Sequence, residues 1–373
     1  MTNKVPATAQ DLRAHNRGLV LRLLRDEGPL PRAELARRTG LSATTMTKVV
    51  AQLIEEGNLA ERSVTDSPEP RIGRPATDVA LVPGSAWVVG VQVGVGAVQI
   101  GLCDLLGRAG WTSGFEFAAD APVDPMLDRL AGAIDELVKE SGVERVLGIG
   151  VAAPGPVDPD HRVNLLSVNA GWHDVRFADL LEGALGLATV VDHNVRAMAL
   201  AEARYGCRER NLLYVHVRTG LGAGVVLNGR PFQPGVYGVT ELGHLRVVER
   251  GRKCACGSTG CLETVVSEPY LAAKVGAPIM AALDDHPEVR DELVDYLSTG
   301  LAAAVNLLNP EHIRLGGIFC DAPDALLDRI RGALRDKTFP VLRDSVHLDR
   351  SSLGMDAGVA GGAAVALDRF FYL

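Results

Sequence analysis

Between residues 254 and 263 the chain reads "CACGSTGCLE", which places Cys254, Cys256 and Cys261 within eight positions and the carboxylate of Glu263 directly after them. Thiolates are strong donors to soft and borderline metal ions, and C-x-C-x₄-C is compact enough to serve one ion. Cys254 and Cys256 at i, i+2 point to one side of extended backbone, and Gly257 and Gly260 let the chain turn to bring Cys261 back. His244, ten residues upstream of Cys254, completes a tetrahedral Cys₃His set for one structural zinc per chain. With four protein ligands no position is left for a reactive water, so the ion would shape a loop rather than hydrolyse. The alternative, three buried thiols without an ion, fits poorly with a polar, glycine-rich loop that has little core to enter. Cys103, Cys207 and Cys320 stand apart in the sequence and are expected to pack as small apolar residues.

The chain that must position these groups has 373 residues, too many for one small core, and two or three domains are expected. A hydrophobic share of 47% with 23% charged residues is ordinary for a globular protein, and 41 glycines point to many tight turns. No run approaches the roughly 18 apolar residues of a membrane span, and Met1 to Gln10 has no apolar signal core, so a cytoplasmic protein without membrane contact is expected. Six cysteines in this length are not a disulfide framework. Through Val82 there are 12 Lys and Arg against 10 Asp and Glu, a balance of +2, which leaves −10 for the rest of a chain whose net charge is −8. Different partners for the two parts follow.

In residues 1–82, helical spacing of Leu12, Leu19, Leu23 and Leu24 predicts a first helix over Asp11 to Asp26, stopped by Gly28 and Pro29. A short helix over Arg32 to Arg38, a turn at Gly40 and a longer helix over Ala43 to Glu56 capped by Ser42 follow, with Ala36, Leu41, Val49 and Leu53 facing a common core. This unit resembles the winged helix-turn-helix domains of bacterial repressors, whose second helix enters the major groove. Ser42, Thr44, Thr45, Thr47 and Lys48 offer that helix short donors and acceptors and one cation. A protein-binding helical module is the alternative. Arg71 and Arg74 bracket Gly73 in "RIGRP", an extended string able to lay cations into a narrow A·T-rich minor groove, although such strings also form solvated turns. A head of only +2 needs dimerisation to bind DNA well, so a homodimer or homotetramer on a double-stranded operator with dyad symmetry is expected.

Beyond residue 82, "AWVVGVQVGVGAVQIGLCDLLGRAG" (86–110) reads as strand, glycine-rich bend, strand and turn, and the pattern returns at 211–231. Helices predicted over Pro125 to Ser141, Pro269 to Ala282 and Glu288 to Leu308 complete an α/β alternation. The C-terminal "GMDAGVAGGAAVALDRFFYL" predicts a small-residue-rich packing helix.

From about Ala86 to the C-terminus the chain resembles the ROK family of repressors, open reading frame proteins and sugar kinases. "ELGH" (241–244) is similar to its Glu-x-Gly-His sugar motif and "CACGSTGCLE" to its zinc motif. The resemblance implies an α/β fold: a winged helix-turn-helix (1–82), then a two-lobed actin-like, sugar-kinase (ribonuclease H-like) domain. Its first lobe would span 83–194 plus the helix 356–373, and its second, with the zinc site, 195–355. It also implies that Glu241, His244 and Glu263 bind sugar hydroxyls, together with Asn169, His193 and Asn194. Carboxylates are acceptor-only and suit hydroxyl donors, and one His244 nitrogen can hold metal while the other faces sugar. Glu241 as a surface residue and Glu263 as a helix N-terminal charge are the competing readings.

Catalytic members carry an acid in the first glycine-rich hairpin and an Asn-Asp pair whose Asp is the general base. Here Gln92 takes the place of the first, and His193 and Asn194 those of the pair. An amide is no base at neutral pH, and losing one costs about 10²- to 10⁴-fold in rate. The reading is a non-enzymatic regulator of carbohydrate uptake or metabolism genes, a repressor answering to a sugar or sugar phosphate; Arg196 and Arg204 leave a phosphorylated ligand open. Its rivals are an active hexose kinase with a DNA-binding head and a sugar-independent architectural DNA binder.

Overall fold

The computed structural model describes residues 8–63 and 77–373. α1 (Ala9–Glu27) starts at a capping box, in which the Thr8 hydroxyl accepts the Asp11 amide and the Asp11 carboxylate accepts the Thr8 amide at 2.8 Å. β1 (Leu30–Pro31), α2 (Arg32–Thr39) and α3 (Ala43–Glu55) follow, α2 ending at Gly40 in left-handed backbone and α3 capped by Ser42. β2 (Leu59–Ser63) pairs antiparallel with β3 (Thr77–Leu81), which also pairs with β1. Of the four residues expected to fill the small core, Leu53 is fully buried while Ala36, Leu41 and Val49 lie at its margin. Met46, Val50 and Leu53, at i, i+4 and i+7, form the inner stripe of α3 against Leu35 and Leu21, so the apolar face is rotated one position from the expected one. Arg71, Gly73 and Arg74 lie outside the described residues.

The second unit begins with β4 (Trp87–Val93), β5 (Ala97–Asp104) and β6 (Ala109–Glu116), an antiparallel meander. α4 (Val123–Ser141), β7 (Val146–Ala153), the hairpin β8 (Asn164–Ser167) and β9 (Trp172–Val175), α5 (Phe177–Leu185), β10 (Thr189–His193) and α6 (Asn194–Ala201) complete it. The sheet order is β10-β7-β4-β5-β6, with β10, β7 and β4 parallel. Strand alternation sends Val89 and Val91 to one core, shared with Leu130 and Ile134 of α4, and Val88 to another.

The third unit repeats the plan. β11 (Leu212–Val217), β12 (Leu221–Leu227) and β13 (Arg230–Pro231) form the meander. α7 (Glu263–Val266), α8 (Glu268–Val275), α9 (Ile279–Ala282), α10 (Pro287–Leu308), β14 (His312–Gly317), α11 (Asp324–Lys337) and β15 (His347–Arg350) follow, in sheet order β13-β12-β11-β14-β15. The echo between 86–110 and 211–231 is therefore two hairpins in equivalent sheet positions. The single helix expected over Pro269 to Ala282 is two, because Gly276 (φ +79°) and Pro278 interrupt it.

α12 (Ala357–Phe370) packs across β4, β7 and α6. Its approach needs glycine: a Cβ on Gly150 would strike the carbonyl of Gly362, and one on Gly362 would lie 2.5 Å from the carbonyl of Gly150. The chain end then meets α1. Arg17 donates to the Phe371 carbonyl at 3.1 Å, Arg22 to that of Tyr372, and Arg25 stands 4.7 Å over the Tyr372 ring. Tyr372 is buried and donates its hydroxyl to the Leu105 carbonyl. The core of the head thus runs without a break into that of the second unit.

Candidate functional site between the lobes

A cavity of about 500 Å³ lies between the two sheets, within the roughly 300–1,000 Å³ of small-molecule sites. Asn169, His193, Asn194, Glu241, His244 and Glu263 all line it. Their convergence depends on Gly220 in the turn between β11 and β12. A Cβ there would collide with Oε2 of Glu263 and lie 2.8 Å from Nδ2 of Asn169. Glu263 opens α7 and accepts the Leu221 amide at 2.9 Å, which aims its carboxylate at that turn. Asn169 arrives from the loop between β8 and β9.

Glu241 stands 3.8 Å from Nε2 of His244. Burial pushes its pKa above the usual carboxylate value; nearby His244 opposes this and Glu263 adds to it. His193 is buried and held neutral, its pKa lowered to about 3 by burial and by Arg196, and its Nδ1 has no partner among the described residues. Asn194 is the first residue of α6, and its side-chain oxygen accepts the Val195 amide at 2.8 Å. Gln92 lines the cavity and lies against the first turn of α12, where a Cβ on Gly358 would come within 2.6 Å of its Cγ.

Two lining residues escaped the sequence reading. His216 has its pKa lowered to about 4 by burial and leaves Nδ1 unpartnered among the described residues; its signal was a polar side chain interrupting the apolar alternation of "LLYVHV". Arg218 sits on the rim, paired to Glu268 at 3.0 Å. Conversely, Arg196 and Arg204 are withdrawn from any phosphate role in this cavity. Arg196 is buried, ion-paired to Asp192 and donating to the Gly238 carbonyl at 2.7 Å, and Arg204 chelates Asp368 at 2.5 and 2.6 Å. In that pair Oδ1 of Asp192 accepts from Nε and Nη2 of Arg196 and from the His193 amide.

On one wall His244, Cys254, Cys256 and Cys261 gather with all their donor atoms within 4.8 Å of one another. Cys256 Sγ is 3.8 Å from Cys261 Sγ, and Cys254 Sγ is 3.6 Å from Nδ1 of His244. Tetrahedral zinc with Zn–S of 2.3 Å and Zn–N of 2.0–2.1 Å requires about 3.8 Å between sulfurs and about 3.6 Å between sulfur and nitrogen. The donor set could hold a metal ion of that size. Local chain geometry builds it: Gly257 (φ +91°) and Gly260 (φ +75°) turn the loop, and Cys254 exchanges backbone bonds with Ser258 and Gly257.

On the head, Thr44, Thr47 and Lys48 are exposed on the first turns of α3. Thr45 bonds the Ser42 hydroxyl at 2.9 Å and Thr47 donates to the Ala43 carbonyl at 2.9 Å, so part of their capacity is spent locally. No helix among the described residues is long and apolar enough to cross a membrane.

Residues 14–57 match the model of a winged helix-turn-helix DNA-binding family and residues 88–369 that of the ROK family. The DNA-binding transcriptional repressor Mlc of Escherichia coli K12 is 25% identical, over 96% of this chain and 95% of that protein. The DNA-binding transcriptional dual regulator NagC of the same strain is 28% identical, over 94% and 92%. A crystal structure of a ROK family transcriptional regulator, a homologue of E. coli Mlc, superposes with a TM-score of 0.82 at 28% identity and covers 97% of both chains. Fold, cleft and head therefore agree with one lineage: this chain belongs to the ROK family, as a regulator that joins a winged helix-turn-helix head to a ROK domain.

Proposed function

We propose that the protein is a repressor of carbohydrate uptake or metabolism genes, released from a dyad-symmetric operator when a sugar or sugar phosphate enters the cleft. The observation that carries this reading is the meeting of Asn169 and Glu263 at Gly220, with Glu241 and His244 on the same wall of the cavity. Carboxylates and an amide in a half-buried cavity are acceptors suited to vicinal hydroxyls. A ligand touching both lobes favours the closed arrangement by its differential affinity, and α12, which touches both the cleft and the head, carries the change.

Zinc is the metal we assign to His244 Nδ1 and the three thiolates. Bound there it would set the tautomer and orientation of His244 and leave Nε2 beside Glu241 for the sugar. Thr44, Thr47, Lys48 and Ser42 would meet the major groove, and a dimer would span the two half-sites. With Asn194 in place of a base and Gln92 in place of an acid, the cleft binds without phosphoryl transfer.

Mobility shift of fragments upstream of neighbouring genes, with a panel of sugars and sugar phosphates and no ATP, tests the reading. Release by one sugar supports it; a footprint without a dyad, or affinity unchanged by every sugar, sinks it. An ATP-coupled assay over the same panel separates the rival kinase, which would turn over.

A further inference from the structure

A second cavity of about 590 Å³ lies between the head and the ROK domain, and it shares no lining residue with the cleft. Its walls come from the end of α1, from Arg62 of β2, from the turn at 104–108 and from the segment after α6. We propose that this cavity is a second ligand site, for a small phosphorylated metabolite, that ties the DNA-binding head to the ROK domain when filled.

Arg62, Arg108 and Arg208 line the cavity, are exposed, and form no ion pair among the described residues. Arg25 and Arg204 also line it, both bound to Asp368. Against them stand Glu27, already neutralised by Arg38, and Asp356. An uncompensated cationic pocket with planar guanidinium groups suits the several oxygens of a phosphoryl group.

The Asp104 carboxylate accepts the amides of Leu106 and Arg108 at 2.9 and 3.0 Å, a turn that presents Arg108 to the cavity. Arg208 is held at φ +59°, a left-handed conformation that costs a non-glycine residue energy and is more usual for asparagine. Close by, Nε of Arg204 and the hydroxyl of Tyr205 are buried without partners among the described residues. Such groups normally find one.

Gly354, Met355, Ala357 and Gly358 line the interlobe cleft, while Leu353, Asp356, Val359 and Ala360 line this cavity. The 3₁₀ turn at 354–356 and the first turn of α12 are thus the partition between the two ligand sites, their opposite faces turned to each.

Isothermal titration of the full-length protein with inorganic pyrophosphate at low salt tests the proposal. One saturable site per chain is expected, weakened about tenfold or more in the Arg108→Ala/Arg208→Ala double variant and unchanged in Arg218→Ala, which alters the rim of the other cleft. Absence of saturable binding, unchanged affinity in the double variant, or loss in Arg218→Ala overturns it. If the double variant unfolds early, Arg62→Ala on the head side replaces it in the same comparison. Citrate in a parallel titration separates phosphoryl from carboxylate recognition, and tighter binding of citrate than of pyrophosphate overturns the assigned ligand class. Arginine variants that lower DNA affinity but leave pyrophosphate binding intact also overturn it, because the cations then serve the DNA backbone alone.

Discussion

Gly220 has no room for a side chain because the carboxylate of Glu263, 43 residues later, occupies the place its Cβ would take. The turn between β11 and β12 and the start of α7 are therefore built as one surface. Gly220→Ala is expected to push Glu263 away from Asn169 and weaken effector binding by about tenfold or more. DNA affinity without effector should stay as in the wild type. Titration of the releasing sugar into the protein–DNA complex measures it, and an unaltered midpoint for Gly220→Ala would remove Glu263 from the sugar site.

Metal content should be one zinc per chain by elemental analysis of protein purified without chelator. His244→Ala and Cys256→Ser are each expected to drop below about a tenth of that and to lose the sugar response. Stoichiometric zinc in either variant would refute the ligand assignment.

His193 and His216 in the cleft predict a pH profile. Both have folded-state pKa values lowered from 6.5, to about 3 for His193 and about 4 for His216, so between those values and 6.5 the unfolded chain binds protons that the native protein does not. Their contribution is whole above pH 6.5 and falls away as pH drops through that window. Thermal midpoints should decline below pH 6.5, and the decline should be shallower in His193→Gln. A parallel decline in both proteins would mean that His193 titrates normally.

On the head, Lys48 projects from α3 without an ion pair among the described residues. Lys48→Ala should weaken operator and non-operator DNA alike and lower the salt slope by about 1, whereas Thr44→Ala should cost operator affinity selectively. Selective loss from Lys48→Ala would instead make it a base contact.

Gly362→Val would drive a side chain into the carbonyl of Gly150 and is expected to destabilise the protein by roughly 1–3 kcal/mol or more. Chemical denaturation of the pure variant gives the value; a neutral effect would mean that α12 is free to shift on the sheet.

What could be read along the chain was whatever neighbouring residues decide. The three thiols and His244 lie within 18 positions, and Ser42 and Gly40 act within a single turn of helix, so spacing and chemistry were enough to foresee them. Hairpins in both lobes were visible because strand alternation and glycine bends are equally local.

Tertiary packing alone decided the rest. Arg204 could have faced a phosphate in the interlobe cleft, yet the distant Asp368 claims it, since a guanidinium group goes to whichever carboxylate the fold brings near, whereas the Asp192–Arg196 pair is local at i, i+4. His216 became a cleft residue through the facing of its strand, and Arg62, Arg108 and Arg208 were scattered cations until the head settled on the ROK domain. Contacts of that separation depend on how sheets and helices stack, which no window of sequence contains.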